Sequence, residues 1–235
     1  MGQYFGECAD AHCFAVSMDL ERKAIMKGAV GLAMSVLAAT VAMGTAQADE
    51  GSWMVRARAV NLSMANKSDA IGSLSVPADA IEVSDKTIPE VDITYFFTKN
   101  IAAELILTIP QEHDVTLSGT KIGTFKHLPP TLTAQYHFLP DGIVRPYVGA
   151  GINYTRISSV SLNVPGVGAL DLDSSSIGAA LQVGMDIKLA DKIFLNIDVK
   201  KIYINSDVML KATGAKVSAV TLDPIAIGVG IGYRF

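Results

Sequence analysis

Cysteine and charge are both scarce in this sequence. Its 235 residues include two cysteines, Cys8 and Cys13, and only 18% of the residues are charged. With 19 basic against 23 acidic residues, the chain has no excess of positive charge for binding nucleic acid. No further cysteine follows that could complete a disulfide framework or a zinc site with this pair. We therefore expect no nucleic-acid partner, no metal and no cofactor.

Long apolar runs are equally scarce, although the composition is strongly apolar. Apolar residues make up 50% of the chain and the mean hydropathy is +0.35, which excludes a disordered polypeptide. A helical membrane protein would contain apolar runs of roughly 18 residues or more. Only residues 28–48 form such a run, so the remaining apolar residues are distributed in short pieces.

The single long apolar run has the composition of an export signal. Residues 28–48 carry no charge, follow the basic residue Lys27 and end in Ala46-Gln47-Ala48. A basic start, an apolar centre and small residues at the end are typical of a secretory signal peptide. We expect a signal peptide at residues 26–48, cleaved after Ala48, and a leader or mis-assigned start at residues 1–25. A membrane anchor is the alternative, although the run is short and rich in small residues.

After residue 48 the apolar residues recur at every second position, which is the pattern of a β-strand. The C-terminal segment is the clearest case, because Ile227, Val229 and Ile231 alternate with glycines and end in Tyr233 and Phe235. Eight segments share this alternation: residues 53–59, 90–95, 103–109, 131–138, 147–154, 177–186, 193–200 and 225–235.

Three features distinguish a membrane barrel from a soluble sandwich with one buried face. Charged residues and glycines share one face of the strands, whereas the other face is apolar. Long connections at 63–87, 111–126, 156–174 and 205–218 alternate with short ones at 98–100, 139–143 and 190–192. Aromatic residues gather at strand ends, as in interfacial girdles: Trp53, Tyr95, Phe96, Phe97, Phe138, Phe194, Tyr233 and Phe235. We predict an all-β fold at residues 49–235, an eight-stranded antiparallel transmembrane β-barrel.

Several motifs resemble the OmpW family of small outer-membrane barrels, including its AlkL-like alkane-uptake branch. They are His127-Leu128-Pro129-Pro130-Thr131-Leu132, the run Arg145-Pro146-Tyr147-Val148-Gly149-Ala150-Gly151-Ile152-Asn153-Tyr154, Gln182-Val183-Gly184, Leu222-Asp223-Pro224 and Gly232-Tyr233-Arg234-Phe235. The resemblance implies a barrel in outer-membrane lipid that passes small hydrophobic molecules, and an assembly signal at Phe235 for the barrel-assembly machinery. The chain departs from the family pattern where many members carry Trp, since Ile225 follows Pro224 here and strand seven contains Lys200-Lys201.

The residues predicted to face inward fall into two groups. Small or apolar residues are expected to line the lumen: Met54, Val60, Ile106, Tyr147, Gly149, Gly151, Gly178, Gly228 and Gly230. Polar residues are expected to pair with one another as a plug: Arg56, Arg58, Glu90, Asp92, Glu104, His137, Asp186, Asp198, Lys200 and Arg234. The glycines either are compensated by larger side chains from opposite strands or leave a cavity for a slender apolar ligand.

Prolines mark one place where the barrel wall is expected to be weak. Pro110 ends the third strand and Pro129-Pro130 begin the fourth, and proline lacks the N–H that a β-ladder needs. Ordinary strand termination at a loop would give the same pattern. The functional interpretation is a lateral gate, through which a solute that enters a funnel of loops leaves sideways into the membrane above the polar plug.

No catalytic chemistry stands out in the sequence. His113 and His127, with Asp114 and Ser118 nearby, match no metal or triad spacing, and we expect both histidines to be solvated loop residues. A lipid-modifying envelope enzyme would need a histidine and a serine close together on one outward strand face, and no such pair is visible. A structural or adhesive barrel, whose long loops bind a partner, is the other alternative to transport.

Overall fold

The computed structural model describes residues 51–71 and 76–235. The signal peptide, its cleavage site and the leader predicted from the sequence lie outside these residues. Within the described part of the chain, no helix is long and apolar enough to cross a membrane. The described residues contain fifteen strands: β1 (Trp53–Ser63), β2 (Lys67–Ser68), β3 (Ile81–Val83), β4 (Lys86–Phe96), β5 (Ile101–Thr108), β6 (Gln111–Leu117), β7 (Thr120–Leu128), β8 (Thr131–His137), β9 (Val144–Val164), β10 (Gly168–Leu172), β11 (Ser175–Lys188), β12 (Ile193–Ile202), β13 (Asn205–Leu210), β14 (Lys216–Thr221) and β15 (Ile225–Arg234).

Eight of the strands form a closed antiparallel barrel, in the order β1, β4, β5, β8, β9, β11, β12 and β15. The first and last strands close the ring, because Ala57 of β1 is paired with Ile231 of β15 on one side and with Val91 of β4 on the other. A closed barrel leaves no edge strand whose backbone groups would face lipid without partners. The eight-stranded antiparallel barrel predicted from the sequence is confirmed.

The outer face of the barrel is an apolar belt. Lipid-facing Ile227, Val229 and Ile231 are each about half exposed to solvent in the isolated chain. Exposed aromatic side chains border the belt where the short turns lie, and the rings of Trp53 and Tyr95 are 4.7 Å apart there. Two aromatic residues expected in this border, Phe96 and Phe194, are instead buried inside the barrel.

The long connections predicted as loops are largely strands. β6 pairs with β7, and β13 pairs with β14, so two of these connections are β-hairpins. β9 is 21 residues long and continues beyond the membrane to pair with β7 and β10. Together β2, β3, β6, β7, β10, β13, β14 and the end of β9 form an extension on the long-loop side of the barrel.

The interior of this extension is apolar, whereas the interior of the membrane-spanning part is polar. The apolar interior contains buried side chains from nearly every strand of the extension, including Val115, Phe125, Leu162 and Val208. It extends down to Val60 and Ile88 on the barrel strands. A solute that comes from the long-loop side therefore meets an apolar interior before the polar one.

Candidate functional site

Charged side chains fill the barrel at the level of the membrane. Arg56 lies at their centre, and its guanidinium binds the Asp186 carboxylate through two hydrogen bonds of 3.0 and 2.7 Å. It also donates to Asp92 at 3.0 Å and to the hydroxyl of Thr94. All four residues are buried. Paired guanidinium and carboxylate groups with this geometry can tolerate removal from water, whereas an unpaired charge could not.

A second group of ion pairs lies one layer nearer the long-loop side. Arg58 donates to Glu90 and Glu104, each at 2.9 Å, and approaches Asp92 at 2.7 Å. The Lys200 ammonium lies 2.9 Å from Glu90 and 2.8 Å from Asp198. These residues, together with Arg56 and Asp186, bring most of the predicted plug into one network.

Neutral side chains that were not predicted to belong to the plug complete the network. Gln182 donates to both Glu104 and Asp198, at 2.7 and 2.8 Å. Tyr147, expected to be an apolar lining residue, donates its hydroxyl to Asp198 at 2.8 Å. Asn196 also lies among these groups. Gln182 and Asn196 could have been predicted to belong to the network, because the alternation that placed the charged residues on the inward face places these two residues there as well.

The remaining two members of the predicted plug lie toward the short turns. His137 contacts Gln135 at 3.0 Å, and its ring packs between Phe96 and Tyr147. Arg234 donates to the Gly51 carbonyl at 2.9 Å, and its guanidinium lies 3.9 Å from the centre of the Phe96 ring. These two residues therefore lie nearer the short turns than Arg56 and Arg58.

The inward glycines are packed against neighbouring groups, which favours the first of the two alternatives drawn from the sequence. A Cβ at Gly151 or Gly178 would overlap the backbone carbonyl of Leu132 or Tyr203, respectively. A Cβ at Gly149 would lie 2.8 Å from the Gln182 amide oxygen. A Cβ at Gly228 would approach the Val60 side chain, and one at Gly230 would overlap the Ala57 carbonyl oxygen and crowd the Arg58 side chain. Gly149 and Gly230 therefore leave room for large polar side chains, whereas Gly151 and Gly178 let the backbone of a neighbouring strand approach closely.

Three predicted apolar lining residues occupy different levels of the barrel. Met54 packs with Phe96 and Phe194 at the short-turn end. Ile106 is buried at the upper end of β5, and Val60 belongs to the apolar interior that continues into the extension. They do not line one continuous channel through the network.

An apolar cavity lies in the extension, and its lining was not predicted. A second opening shares part of its wall, including Ile81 and Leu170. Ser206 is the one polar residue of the first lining, which comprises Ile81, Val83, Val115, Ile122, Phe125, Leu162, Leu170, Leu172, Ser206, Val208, Val220 and Leu222. Most of these residues belong to segments expected to be loops, so no inward face was assigned to them.

The barrel wall loses its ladder between β5 and β8, at the prolines. The last paired residues of these strands are Ile106 and Thr131, and pairing resumes where Gln111 of β6 meets His127 of β7. Residues 107–110 and 128–130 lie between these pairs with no ladder connecting them, and we call this interval the wall gap. The three prolines of the predicted gate, Pro110, Pro129 and Pro130, all lie in it. Proline at these positions cannot donate the missing ladder bonds.

The expectation that His113 and His127 are solvated is wrong. Both imidazoles are buried, because β6 and β7 form a hairpin whose inward face carries them. The rings are stacked, 4.6 Å apart with 20° between their planes. Burial lowers the pKa of both side chains, to about 3 for His127, where the neighbouring His113 lowers it further. Both rings are therefore neutral at ordinary pH. In the described part of the chain no cluster of three or more metal-binding side chains includes them.

Comparison with curated proteins gives relatives along the barrel region. The family model described as the OmpW family matches residues 49–235. The chain is 41% identical over 187 residues to the outer-membrane protein y4mB of Sinorhizobium fredii, covering 78% of this chain and 80% of that protein. It is 34% identical to outer membrane protein W of Vibrio cholerae, covering 86% and 97% of the two chains. It is also 32% identical to the dibenzothiophene metabolism operon protein PahQ of Pseudomonas aeruginosa, covering 80% and 90%.

Solved structures give the same architecture. The outer membrane protein OprG of Pseudomonas aeruginosa is similar with a TM-score of 0.67 and 26% identity, over 79% of this chain and 96% of that one.

Proposed function

The chain belongs to the OmpW family of barrels in the bacterial outer membrane, and we propose that it mediates passive uptake of small hydrophobic molecules. In this proposal a solute enters the apolar extension from outside the cell. It cannot continue along the barrel axis, because the buried ion pairs fill the interior. It leaves sideways through the wall gap into the membrane, where an apolar molecule is stable.

The position of the wall gap directly above the ion pairs is the observation that carries this proposal. Ile106, at the lower edge of the gap, is paired with Thr131, and both lie just above Glu104 and Thr133 of the network. An apolar solute that moved further down would have to separate the buried ion pairs and could offer their charges no partner, so moving down is unfavourable. Moving sideways brings it among lipid-facing side chains such as Leu107 and Ile109. Pro110, Pro129 and Pro130 form the lateral gate of the proposal.

The apolar cavity supports the first step of the route. Burial of apolar surface stabilises a solute by roughly 25 cal/mol per Å² removed from water. A cavity lined almost wholly by apolar residues therefore favours an apolar solute over a sugar or an ion. One relative is named for a dibenzothiophene metabolism operon, which is consistent with apolar aromatic compounds among the solutes of this chain.

Export and assembly are part of the proposal. We infer that residues 26–48 are a signal peptide cleaved after Ala48, upstream of the barrel at residues 49–235. The terminal Phe235 is about half exposed beside Tyr233, which suits recognition by the barrel-assembly machinery. N-terminal sequencing of the exported protein tests the cleavage site, and an N-terminus that retains Met34 would contradict it.

Uptake is tested with the purified barrel in vesicles whose outer leaflet contains lipopolysaccharide, which hinders apolar solutes. Alkanes, aromatic hydrocarbons and fatty-acid-like compounds are offered to vesicles with the folded barrel, with heat-unfolded protein, and without protein. We expect faster uptake of at least one apolar class only with the folded barrel. Equal uptake of all classes in the three preparations would contradict the proposal and favour a structural or adhesive barrel.

A further inference from the structure

The stacked histidines lie between the apolar cavity and the wall gap. Phe125 lines the cavity, and its ring is 6.0 Å from that of His113 and 6.3 Å from that of His127. On the other side, His127 is followed directly by Leu128 and Pro129 of the wall gap. A solute that passes from the cavity to the gap along this wall therefore passes the Phe125 ring and meets the two imidazoles.

Three of the four imidazole nitrogens have no hydrogen-bond partner among the residues that the structure describes. They are Nε2 of His113 and both ring nitrogens of His127. The two rings cannot satisfy one another, because stacked rings direct their N–H bonds and lone pairs into parallel planes. Buried polar atoms in proteins are nearly always paired, so three orphaned nitrogens in one place call for an explanation.

The fourth nitrogen fixes the tautomer of His113. Its Nδ1 lies 2.8 Å from the Ser84 carbonyl oxygen, which can only accept, so Nδ1 carries the proton and donates it. In a neutral ring, Nε2 then has a free lone pair and can only accept. His127 has one N–H donor and one acceptor, with neither engaged within the described chain. The pair thus presents both donor and acceptor capacity in an otherwise apolar surrounding.

We propose that His113 and His127 form a polar subsite for the hydroxyl group of an otherwise apolar solute, such as an aromatic or aliphatic alcohol. The solute donates its O–H to Nε2 of His113 and accepts from the N–H of His127, while its apolar body lies against Phe125 and the cavity wall. This inference rests on the proposed uptake function and specifies the solute class for it. The rings are neutral, since burial lowers the pKa of both, and they therefore suit an uncharged hydroxyl better than a carboxylate.

The test compares naphthalene with 1-naphthol, two solutes of nearly equal shape that differ by one hydroxyl. For each solute, the uptake rate of vesicles with the barrel is divided by the rate of protein-free vesicles. The measured quantity is the value obtained for 1-naphthol divided by the value obtained for naphthalene. We expect the wild type to favour naphthol by about three- to tenfold, the effect of one or two hydrogen bonds. His127→Phe keeps a stacked ring but removes both nitrogens, so its ratio falls toward one.

Two further variants serve as controls. Lys126→Gln changes an exposed side chain on the outer surface of the same strand, and it should keep the wild-type ratio. His127→Gln restores a donor and an acceptor at the same position, so it should regain part of the preference. Barrel assembly of every variant is verified by its heat-dependent mobility in gel electrophoresis.

A binding measurement on the unmodified protein keeps the proposal falsifiable if His127→Phe does not assemble. With ¹⁵N-labelled histidine, titration with 1-naphthol should shift the ring nitrogens of His113 and His127. It should leave His137, whose ring already contacts Gln135, unchanged. Naphthalene at the same concentration should cause smaller nitrogen shifts.

The outcomes separate the subsite from the uptake function. If both solutes enter equally fast through the wild type, or if His127→Phe keeps the preference, the subsite is wrong while uptake stands. Ring nitrogens of His113 and His127 that do not respond to naphthol would also overturn the subsite. If neither solute enters faster than in protein-free vesicles, the proposed uptake fails, and the subsite fails with it.

Discussion

Ile106 and Thr131 are the last residues that pair β5 with β8, and above them the barrel wall has no ladder until Gln111 pairs with His127. The interval contains four residues on one side and three on the other, so it also includes a change of register. Every other neighbouring pair of barrel strands is joined by a ladder of at least seven residue pairs, whereas this one has six. The wall is therefore weakest at the level where the polar network ends.

Replacing Pro110 with Val should slow the uptake of hydrophobic solutes. Valine supplies a backbone N–H and favours the strand conformation, so it allows the ladder to extend into the wall gap. Uptake rates in vesicles measure the effect, which we expect to be several-fold. Pro146→Val changes a proline near the short turns, away from the gap, and should leave the rate unchanged. Equal rates for Pro110→Val and the wild type, with both barrels assembled, would count against the gate.

Arg56→Met should destabilise the barrel strongly. The substitution leaves the Asp186 and Asp92 carboxylates buried without the guanidinium that binds both. Removing one partner of a buried pair typically costs about 3–5 kcal/mol. Equilibrium urea unfolding in lipid bilayers measures the change in the free energy of unfolding.

An exposed ion pair of similar length gives the matched control for Arg56. The Lys99 ammonium lies 2.8 Å from Asp141, but both side chains are largely exposed. Lys99→Gln should change the free energy of unfolding by no more than about 1 kcal/mol, because water screens such pairs. If Arg56→Met and Lys99→Gln lowered the free energy of unfolding by similar amounts, burial would not be the reason that the ion pairs of the network stabilise the barrel.

Gly151→Ala should be more destabilising than Gly228→Ala. At Gly151 the added methyl overlaps the backbone carbonyl of Leu132, which cannot move without distorting the sheet. At Gly228 the nearest atom is the Cγ2 of Val60, 3.1 Å away, and a side chain can adjust. Overpacking of a filled interior costs about 1–3 kcal/mol, and we expect Gly151→Ala to lie in that range. Unfolding in urea checks the order, and a reversed order would contradict the packed interior.

The buried histidine should make the barrel less stable in acid. In the folded chain the pKa of His127 is about 3, compared with 6.5 for the free side chain. Between these two values the unfolded chain binds the proton that the folded chain does not. The stability that neutral His127 gives the folded barrel is therefore fully present above pH 6.5 and is lost as the pH falls toward 3.

Comparison with His127→Phe isolates this effect. Between pH 6.5 and 3 the free energy of unfolding should fall more steeply for the wild type than for His127→Phe. The difference between the two slopes should be at most about 1.4 kcal/mol per pH unit, the limit for one titrating group. Urea unfolding at a series of pH values gives both slopes. Parallel curves for the two proteins would mean that His127 is accessible to protons in the folded state.

The barrel could be predicted from the sequence because lipid imposes a strict alternation on its strands. Arg56 and Arg58, with Ala57 between them, already indicate one polar and one apolar face. The same alternation located the carboxylates that pair with them. The position of Arg234 near the short turns could not be predicted, because alternation gives the face of a residue but not its height relative to residues of other strands.

The extension could not be predicted because its strands do not follow the same rule. In β6 the inward residues are Gln111, His113 and Val115, a mixture of polar and apolar side chains with no lipid on the opposite face. Such a segment has the composition of a loop, and the apolar lining is divided among six short strands and the end of β9. Its cavity becomes visible only when pairing brings residues such as Phe125 and Leu170 together.

The lateral route is tested most directly by closing the wall gap reversibly. Ile109→Cys and Leu128→Cys place one thiol on each side of the gap, and residues 14–235 contain no other cysteine. A matched pair, Ala59→Cys with Val229→Cys, lies across the intact ladder between β1 and β15. Uptake of a small apolar solute is measured first with the two thiols of each pair reduced, and then with the thiols joined by a disulfide or by a short thiol cross-linker. Where the pair is joined by a disulfide, uptake is measured once more after reduction. The account predicts that closing the gap lowers uptake to the protein-free level and that reduction restores it, while the matched pair has no effect. Unchanged uptake through a barrel with its gap closed would contradict the lateral route.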